Sequence, residues 1–330
     1  MAHELTLNNN VAEMAYVGET PWHGLGQKLQ PGASIEKWLE AAGMQWTVRK
    51  TKIQYFADRA NTDLRVDDEA VMLVRSDNGR RLGIVSPSYN IVQPFEVLEF
   101  FRDLVETHGF TLETAGTMFG GRRYWALAKI TEAMVSGWDK IGGYLLLTTS
   151  ADGSFASEAR ETTVRVVCNN TLSMAVSQIP GKHFVKINHR QAFDSERIKA
   201  QLQLGGEHFQ AFAELASILS KAKITEATAE KFVTDLLRPV KADADEDEAD
   251  EPARRSRGLS SILALFDGAG LGSNQIGARG TAWGLVNAVT EYVDHHATAK
   301  TTDHRLARAW WGGGSDLKIA AFDKALAELV

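Results

Sequence analysis

The dipeptide Asn78-Gly79 constrains this chain more than any other feature. It follows Asp77 and separates two runs that read as strands, Glu69–Arg75 and Arg81–Val85. Asn-Gly readily takes the left-handed backbone that a tight hairpin turn needs. A second glycine pair, Gly120-Gly121, separates the strand candidates Phe110–Phe119 and Arg122–Ile130. Gln45–Phe56 alternates as a strand, Tyr144–Thr149 reads as a buried strand, and His183–Asn188 as another strand or an extended lead-out. Such local reversals build antiparallel sheet.

Helical patterns surround this β-rich stretch. Ser34 can cap a short helix through Ala42, with Gly43 just after it. Pro94 opens a helix that runs to His108, with Phe95, Val97, Leu98, Phe101, Leu104 and Val105 as its apolar set and Gly109 as its stop. From Asp194 to Arg238 apolar residues recur at helical spacing, with Gly205-Gly206 as a break, Thr225 as a second start and Pro239 as the end. A C-terminal unit holds Ser260–Phe266, the loop Gly268-Ala269-Gly270-Leu271-Gly272, a helix over Thr281–Tyr292 and a final helix over Asp316–Leu329. The expected organisation is an N-terminal arm and short helix (1–44), an α+β core (45–193), a helical region (194–240), an acidic disordered linker (241–257) and a helical C-terminal unit (258–330).

Between the core strands and the helical region lies Glu158–Ala175. Read as a helix, it places Glu158, Thr162, Arg165, Asn169 and Ser173 on one stripe, with Arg160 in the first turn. An arginine-and-amide stripe backed by a sheet can meet a phosphate chain. It can equally face water or a neighbouring subunit. The run Val164-Arg165-Val166-Val167 is β-branched, so a strand competes with the helix here.

Charge matters to that choice. The chain of 330 residues carries a formal net charge of −6. Lys241–Glu251 holds seven acidic residues and one lysine, which accounts for all of it. Gly120–Ala200 carries eleven Lys/Arg against seven Asp/Glu, a net of +4. A locally basic core with a separate acidic run is compatible with a polyanionic partner. Arg122 and Arg123 open the return strand of the second hairpin and are followed by Tyr124 and Trp125. Guanidiniums contact phosphates and aromatic rings stack on unpaired bases. The competing reading is a solvated turn with the rings in the core. Pro21-Trp22-His23-Gly24-Leu25-Gly26 in the arm could also stack on a base, although its tryptophan more simply plugs a groove.

Catalytic readings are weaker. The glycine loop at 268–272 lacks the phosphate-loop pattern and no strong strand precedes it. Asp294, His295, His296, Asp303 and His304 could serve a metal-dependent nuclease, but their spacing matches no standard ligand pair on a helix face. Cys168, the only cysteine, sits among valines as a small hydrophobe. With one cysteine no intrachain disulfide forms, which suits a reducing cytoplasm. No apolar run reaches membrane-spanning length, and the N-terminus has no signal-peptide pattern. The residues point to a non-enzyme with no cofactor and no metal.

The motifs Pro21–Gly26, Arg165–Leu172, Gly280–Gly284 and Asn287–His295 together resemble a phage- and plasmid-borne family known only as a domain of unknown function. More remotely, the order strand, hairpin, helix, hairpin, strand over Gln45–Ala175 is similar to the core of the single-strand annealing proteins, the Rad-fifty-two, Erf and Red-beta group. In the eukaryotic member the sheet is followed by a helix with basic residues, and here Arg160, Arg165 and Asn169-Asn170-Thr171-Leu172 occupy that stretch. This resemblance implies an α+β fold: a curved antiparallel β-sheet with helices packed on it, followed by a helical C-terminal region. It further implies ATP-independent annealing of single-stranded DNA in homologous recombination by a ring or filament of identical subunits in a bacterial host. Arg160, Arg165 and Asn169 would line the groove, Arg122 and Arg123 its outer wall, and Lys182, Lys186 and Arg190 would assist. Replication or recombination proteins could dock on the C-terminal region. The alternatives are a nuclease built on Asp294, His295 and His296, and a structural or anti-defence protein.

Overall fold

The computed structural model describes residues 5–8, 11–18, 25–165, 170–173, 184–202, 207–238, 251–298, 309–310 and 312–330, with backbone alone at 164–165, 170–173 and 251–256. The fold is α+β. Its largest sheet contains β3 (Met14–Tyr16), β4 (Gln27–Lys28), β8 (Thr111–Met118), β9 (Arg123–Val135), β10 (Asp139–Ser150), β11 (Ser157–Arg165), β12 (Asn170–Ser173) and β13 (Phe184–Ile187). The strand order is β12-β11-β10-β9-β8-β3-β4, and β13 also pairs with β11. The sheet is mixed: β3 runs parallel to β4 and antiparallel to β8. A separate antiparallel sheet is formed by β5 (Val48–Phe56), β6 (Leu64–Arg75) and β7 (Arg81–Val85). The N-terminal arm contributes a short ribbon, β1 (Leu7–Asn8) with β2 (Val11–Ala12).

Both hairpins form where the glycines predict them. Gly79 has φ 69° in the turn between β6 and β7, and Gly120 and Gly121 have φ 72° and 91° between β8 and β9. The arm is tied in through Glu13, which accepts two hydrogen bonds from Arg75. In β10 every residue but Lys140 is buried, as the apolar run around Tyr144–Thr149 requires.

The chain divides into two compact units. One comprises 1–130, 144–160 and 184–204; the other 131–143, 161–183 and 205–330. In the first, α1 (Ile35–Ala41) buries Ile35 and Trp38. Ser34 occupies its N-cap position, but the side chain makes no capping bond. The helix expected over Pro94–His108 is two helices, α2 (Pro94–Glu99) and α3 (Arg102–His108). Phe100 and Phe101 lie at the junction with 1% and 0% exposure, their rings packed edge to face at 5.0 Å. Gly109 ends α3 in the left-handed conformation. The Gln93 side chain takes the place of a strand neighbour, pairing with the N–H and C=O of Val48 at 2.8 and 3.0 Å. Helix α4 (Ser195–Leu202) adds Ile198 and Leu202 to this core.

The second unit is helical: α5 (Glu207–Lys221), α6 (Glu226–Leu236), α7 (Glu251–Ala264), α8 (Ala282–Glu291) and α9 (Gly313–Glu328). Thr225 and Thr281 cap α6 and α8 through their hydroxyls. All ten residues of α8 are buried, with Trp283, Phe212 and Phe322 packed ring to ring. Trp283 Nε1 donates to Asp139 Oδ2 at 2.8 Å.

Two expectations are corrected. The segment from Glu158 is a strand pair, not a helix: β11 and β12 run antiparallel with Thr162 opposite Ser173 and Arg165 opposite Asn170. The β-branched run Thr162-Thr163-Val164 favours extended backbone, and β13 supplies a further partner through Glu158–Lys186 and Arg160–Phe184 pairs. The acidic linker ends earlier than its composition suggests. Residues 251–257 belong to α7, where alanine and arginine are good helix formers; residues 241–250 lie outside the described residues. No helix among the described residues is long and apolar enough to cross a membrane.

Candidate nucleic-acid interface

The two hairpin turns meet. An added Cβ on Gly120 would stand 2.2 Å from Cζ of Arg80, so the Arg80 guanidinium rests on the Gly120 backbone. Phe119, Gly120 and Gly121 take three consecutive positive φ angles, 55°, 72° and 91°. At Phe119, which is not glycine, this conformation costs about 1 kcal/mol or more. Packing offsets that cost. The Arg123 guanidinium lies 5.0 Å from the centre of the Phe119 ring and 5.0 Å from that of Phe155, and donates to Ser154 Oγ at 3.2 Å. Arg122 is exposed on the same turn. A cavity of about 360 Å³ opens here, lined by residues 5–7, Arg80, Phe119, Gly120 and Arg122.

Beneath the turn lies a different arginine. Arg75 is 1% exposed, stacks 4.1 Å from the Trp46 ring, and is held by Glu13 and Asp77. A Cβ on Gly121 would meet both Arg75 and Trp46 at 2.9 Å. Burial disfavours the Arg75 charge, but the hydrogen bonds it donates to Glu13 and Asp77 outweigh it and raise its pKa. Arg75 is therefore a neutralised structural cation. Arg80 and Arg122 have no carboxylate partner among the described residues and remain available.

The residues expected from sequence to meet DNA are not gathered in one place. Arg122 and Arg123 come together at the turn with Phe119 and Phe155. Arg160 lies on β11, half-buried, with Nη2 3.1 Å from Glu158 and its guanidinium 5.6 Å from the Phe184 ring. Lys186 is 3.5 Å from the same carboxylate but 59% exposed. Glu158 thus offsets much of the charge expected to line a groove. Arg190 is exposed beyond β13, its N–H donating to Asn188 Oδ1. Arg165 is described by its backbone only, opposite Asn170. Asn169 and Lys182 lie outside the described residues, as do Trp22, His23 and Cys168.

Tyr124 and Trp125 are not stacking platforms. Each is 1% exposed, with the Tyr124 hydroxyl donating to Val92 O and Trp125 Nε1 donating to Thr114 Oγ1 at 3.3 Å. Burial pushes the Tyr124 phenol well above its usual range. The aromatic rings at the turn are Phe119 and Phe155, both half-buried and each carrying the Arg123 guanidinium over it. Arg80 was visible in sequence only as the end of a hairpin turn; nothing local shows that this turn meets another about forty residues on.

The other candidate sites are occupied by structural contacts. Asp294 is held by Lys318 at 2.7 Å, with both side chains buried, and His296 Nε2 lies 3.7 Å from Glu291. No group of three potential metal ligands is found among the described residues; Asp303 and His304 lie outside them. In the glycine loop the Leu271 N–H donates to the carboxylate of Glu291 at 3.1 and 3.0 Å, so a donor that a phosphate would need is already used by an anion.

Fold and site together define an α+β protein in which two exposed arginines, Arg80 and Arg122, stand beside half-buried phenyl rings where two hairpin turns converge. The chain belongs to the family described as "Domain of unknown function (DUF932)", whose model matches residues 81–311. Comparison with curated proteins finds no match, and comparison with solved structures finds none.

Proposed function

We propose that this chain is a single-stranded DNA-binding and annealing protein of a phage or other mobile element, acting in recombination without ATP in a bacterial cytoplasm. One observation carries the reading: Arg80 and Arg122 line one cavity with Phe119, Arg123 packs on the Phe119 and Phe155 rings, and Arg80 and Arg122 are unpaired among the described residues. Unpaired guanidiniums attract the phosphate backbone, and phenyl rings suit unstacked bases of any identity. Lys186 and Arg190 extend the cationic surface. Arg160 ranks behind them because Glu158 offsets it, and Arg165, Asn169 and Lys182 remain as candidates from sequence. Subunits assemble into a ring or filament, and the C-terminal helices recruit replication or recombination proteins.

Fluorescence anisotropy with labelled oligonucleotides tests the binding. The expected result is sequence-tolerant affinity for single strands that falls steeply with salt, and faster annealing of complementary strands without nucleotide. Absence of binding at low salt, or unchanged affinity in an Arg80→Ala/Arg122→Ala variant, removes the reading. Light scattering with and without oligonucleotide tests the assembly.

A further inference from the structure

The cavity at the converging turns is open to solvent and is lined from three parts of the chain. Residues 5–7 of the arm line it together with Arg80 from one turn and Phe119, Gly120 and Arg122 from the other. Its volume, about 360 Å³, suits one nucleotide-sized group.

Its charge is selective as well. Among the described residues, Arg80 and Arg122 lack carboxylate partners, while the nearby carboxylates Glu13 and Asp77 are committed to Arg75. Two positive charges therefore line the cavity. An internal phosphodiester carries one negative charge, whereas a terminal phosphomonoester carries nearly two at neutral pH and offers three acceptor oxygens. The donors match that count. Each guanidinium presents a fork of N–H groups. Thr6 lines the cavity at 6% exposure; its Oγ1 accepts from the Gly121 N–H at 3.1 Å and keeps its own proton to donate.

We propose that this cavity is a seat for the terminal phosphomonoester of a DNA strand, gripped by Arg80 and Arg122 with Thr6 as a third donor. The inference rests on the single-strand reading above and adds recognition of a strand end. It makes Arg80, on a turn that sequence marks only as a reversal, a specificity-determining residue.

The test uses the full chain and three otherwise identical labelled oligonucleotides carrying a 5′-phosphate, a 3′-phosphate or hydroxyls at both ends. One phosphorylated form is expected to bind roughly 10-fold tighter than the hydroxyl form, and which one binds tighter identifies the end. In Arg80→Gln and in Thr6→Val the ratio between the two is expected to fall towards one. Equal affinity of all three oligonucleotides for the unaltered protein overturns end recognition and leaves single-strand binding standing. Failure of all three to bind at low salt overturns both. A ratio that survives Arg80→Gln, in a variant whose thermal unfolding matches the parent, places the seat elsewhere and overturns this cavity.

Discussion

Arg75 donates to both carboxylate oxygens of Glu13, at 2.9 and 2.7 Å, with 1% and 4% of the two side chains exposed. The pair joins residue 13 of the N-terminal arm to a strand 62 residues further on. Thr117 Oγ1 donates to the same carboxylate, and Asp77 completes the shell around the guanidinium. This buried network sets the floor on which the Gly120-Gly121 turn rests.

Removing one member should therefore cost much more than a surface ion pair. Glu13→Gln leaves a buried guanidinium compensated by Asp77 alone. The expected loss is about 3 kcal/mol of unfolding free energy, read by urea denaturation. A loss under about 1 kcal/mol would mean that the arm contributes little to the fold.

The pH dependence should carry the mark of His189. Its ring stacks 4.4 Å from Tyr89, Nδ1 faces Asn90 O at 3.0 Å and Nε2 faces Phe155 O at 3.2 Å. Burial pushes its pKa below 6.5, although both carbonyls and Asp152 pull the other way. With the folded pKa below the unfolded one, the unfolded chain binds more protons between the two values. Stability is then complete above about pH 6.5 and falls as pH drops towards the folded pKa, by at most about 1.4 kcal/mol per unit. Denaturation midpoints between pH 7.5 and 5.5 measure the slope, and His189→Gln should flatten it.

Two glycines should respond differently to alanine. At Gly284 the new methyl would stand 1.9 Å from the carbonyl oxygen of Ala278, which is backbone inside a fully buried helix contact. Gly284→Ala is expected to cost about 2 kcal/mol or more in stability. At Gly120 the obstacle is the end of the Arg80 side chain, which can swing away, so the main cost is the left-handed backbone, about 1 kcal/mol. Gly120→Ala should instead weaken oligonucleotide binding, because it moves the Arg80 guanidinium off the turn. Thermal unfolding and anisotropy on both variants separate these effects.

Adjacent arginines should also part company. Arg122 is exposed and unpaired among the described residues, so Arg122→Ala should reduce the slope of log affinity against log salt by roughly 0.7, the loss of one phosphate contact to a single strand. Arg123 is packed between two rings, and Arg123→Ala should lower stability by about 1 kcal/mol through lost stacking. Equal salt slopes in parent and Arg122→Ala would show that Arg122 touches no phosphate.

Features encoded within a few residues were legible in the chain. The reversals at Asn78-Gly79 and Gly120-Gly121, the helix starts at Pro94, Thr225 and Thr281, and the stop at Gly109 all follow from local dihedral preference and capping. Arg122 and Arg123 were visible as neighbours at a turn, but that one is exposed and the other packed against Phe119 and Phe155 was not. Phe100 and Phe101 mark the limit of that logic: their apolar spacing continued one helix, and the folded chain divides it at these two buried residues.

Local chemistry settled the reversals because a turn is satisfied by its own backbone. Long-range packing settled the rest. Residues 158–165 can follow either period, and pairing with β12 and β13 resolves the choice in favour of strand. No neighbour in sequence tells Arg75, which is buried and neutralised by Glu13, from Arg80, which is exposed and left facing a cavity. Five positions apart, they differ because burial and charge compensation depend on what the folded chain brings beside each of them.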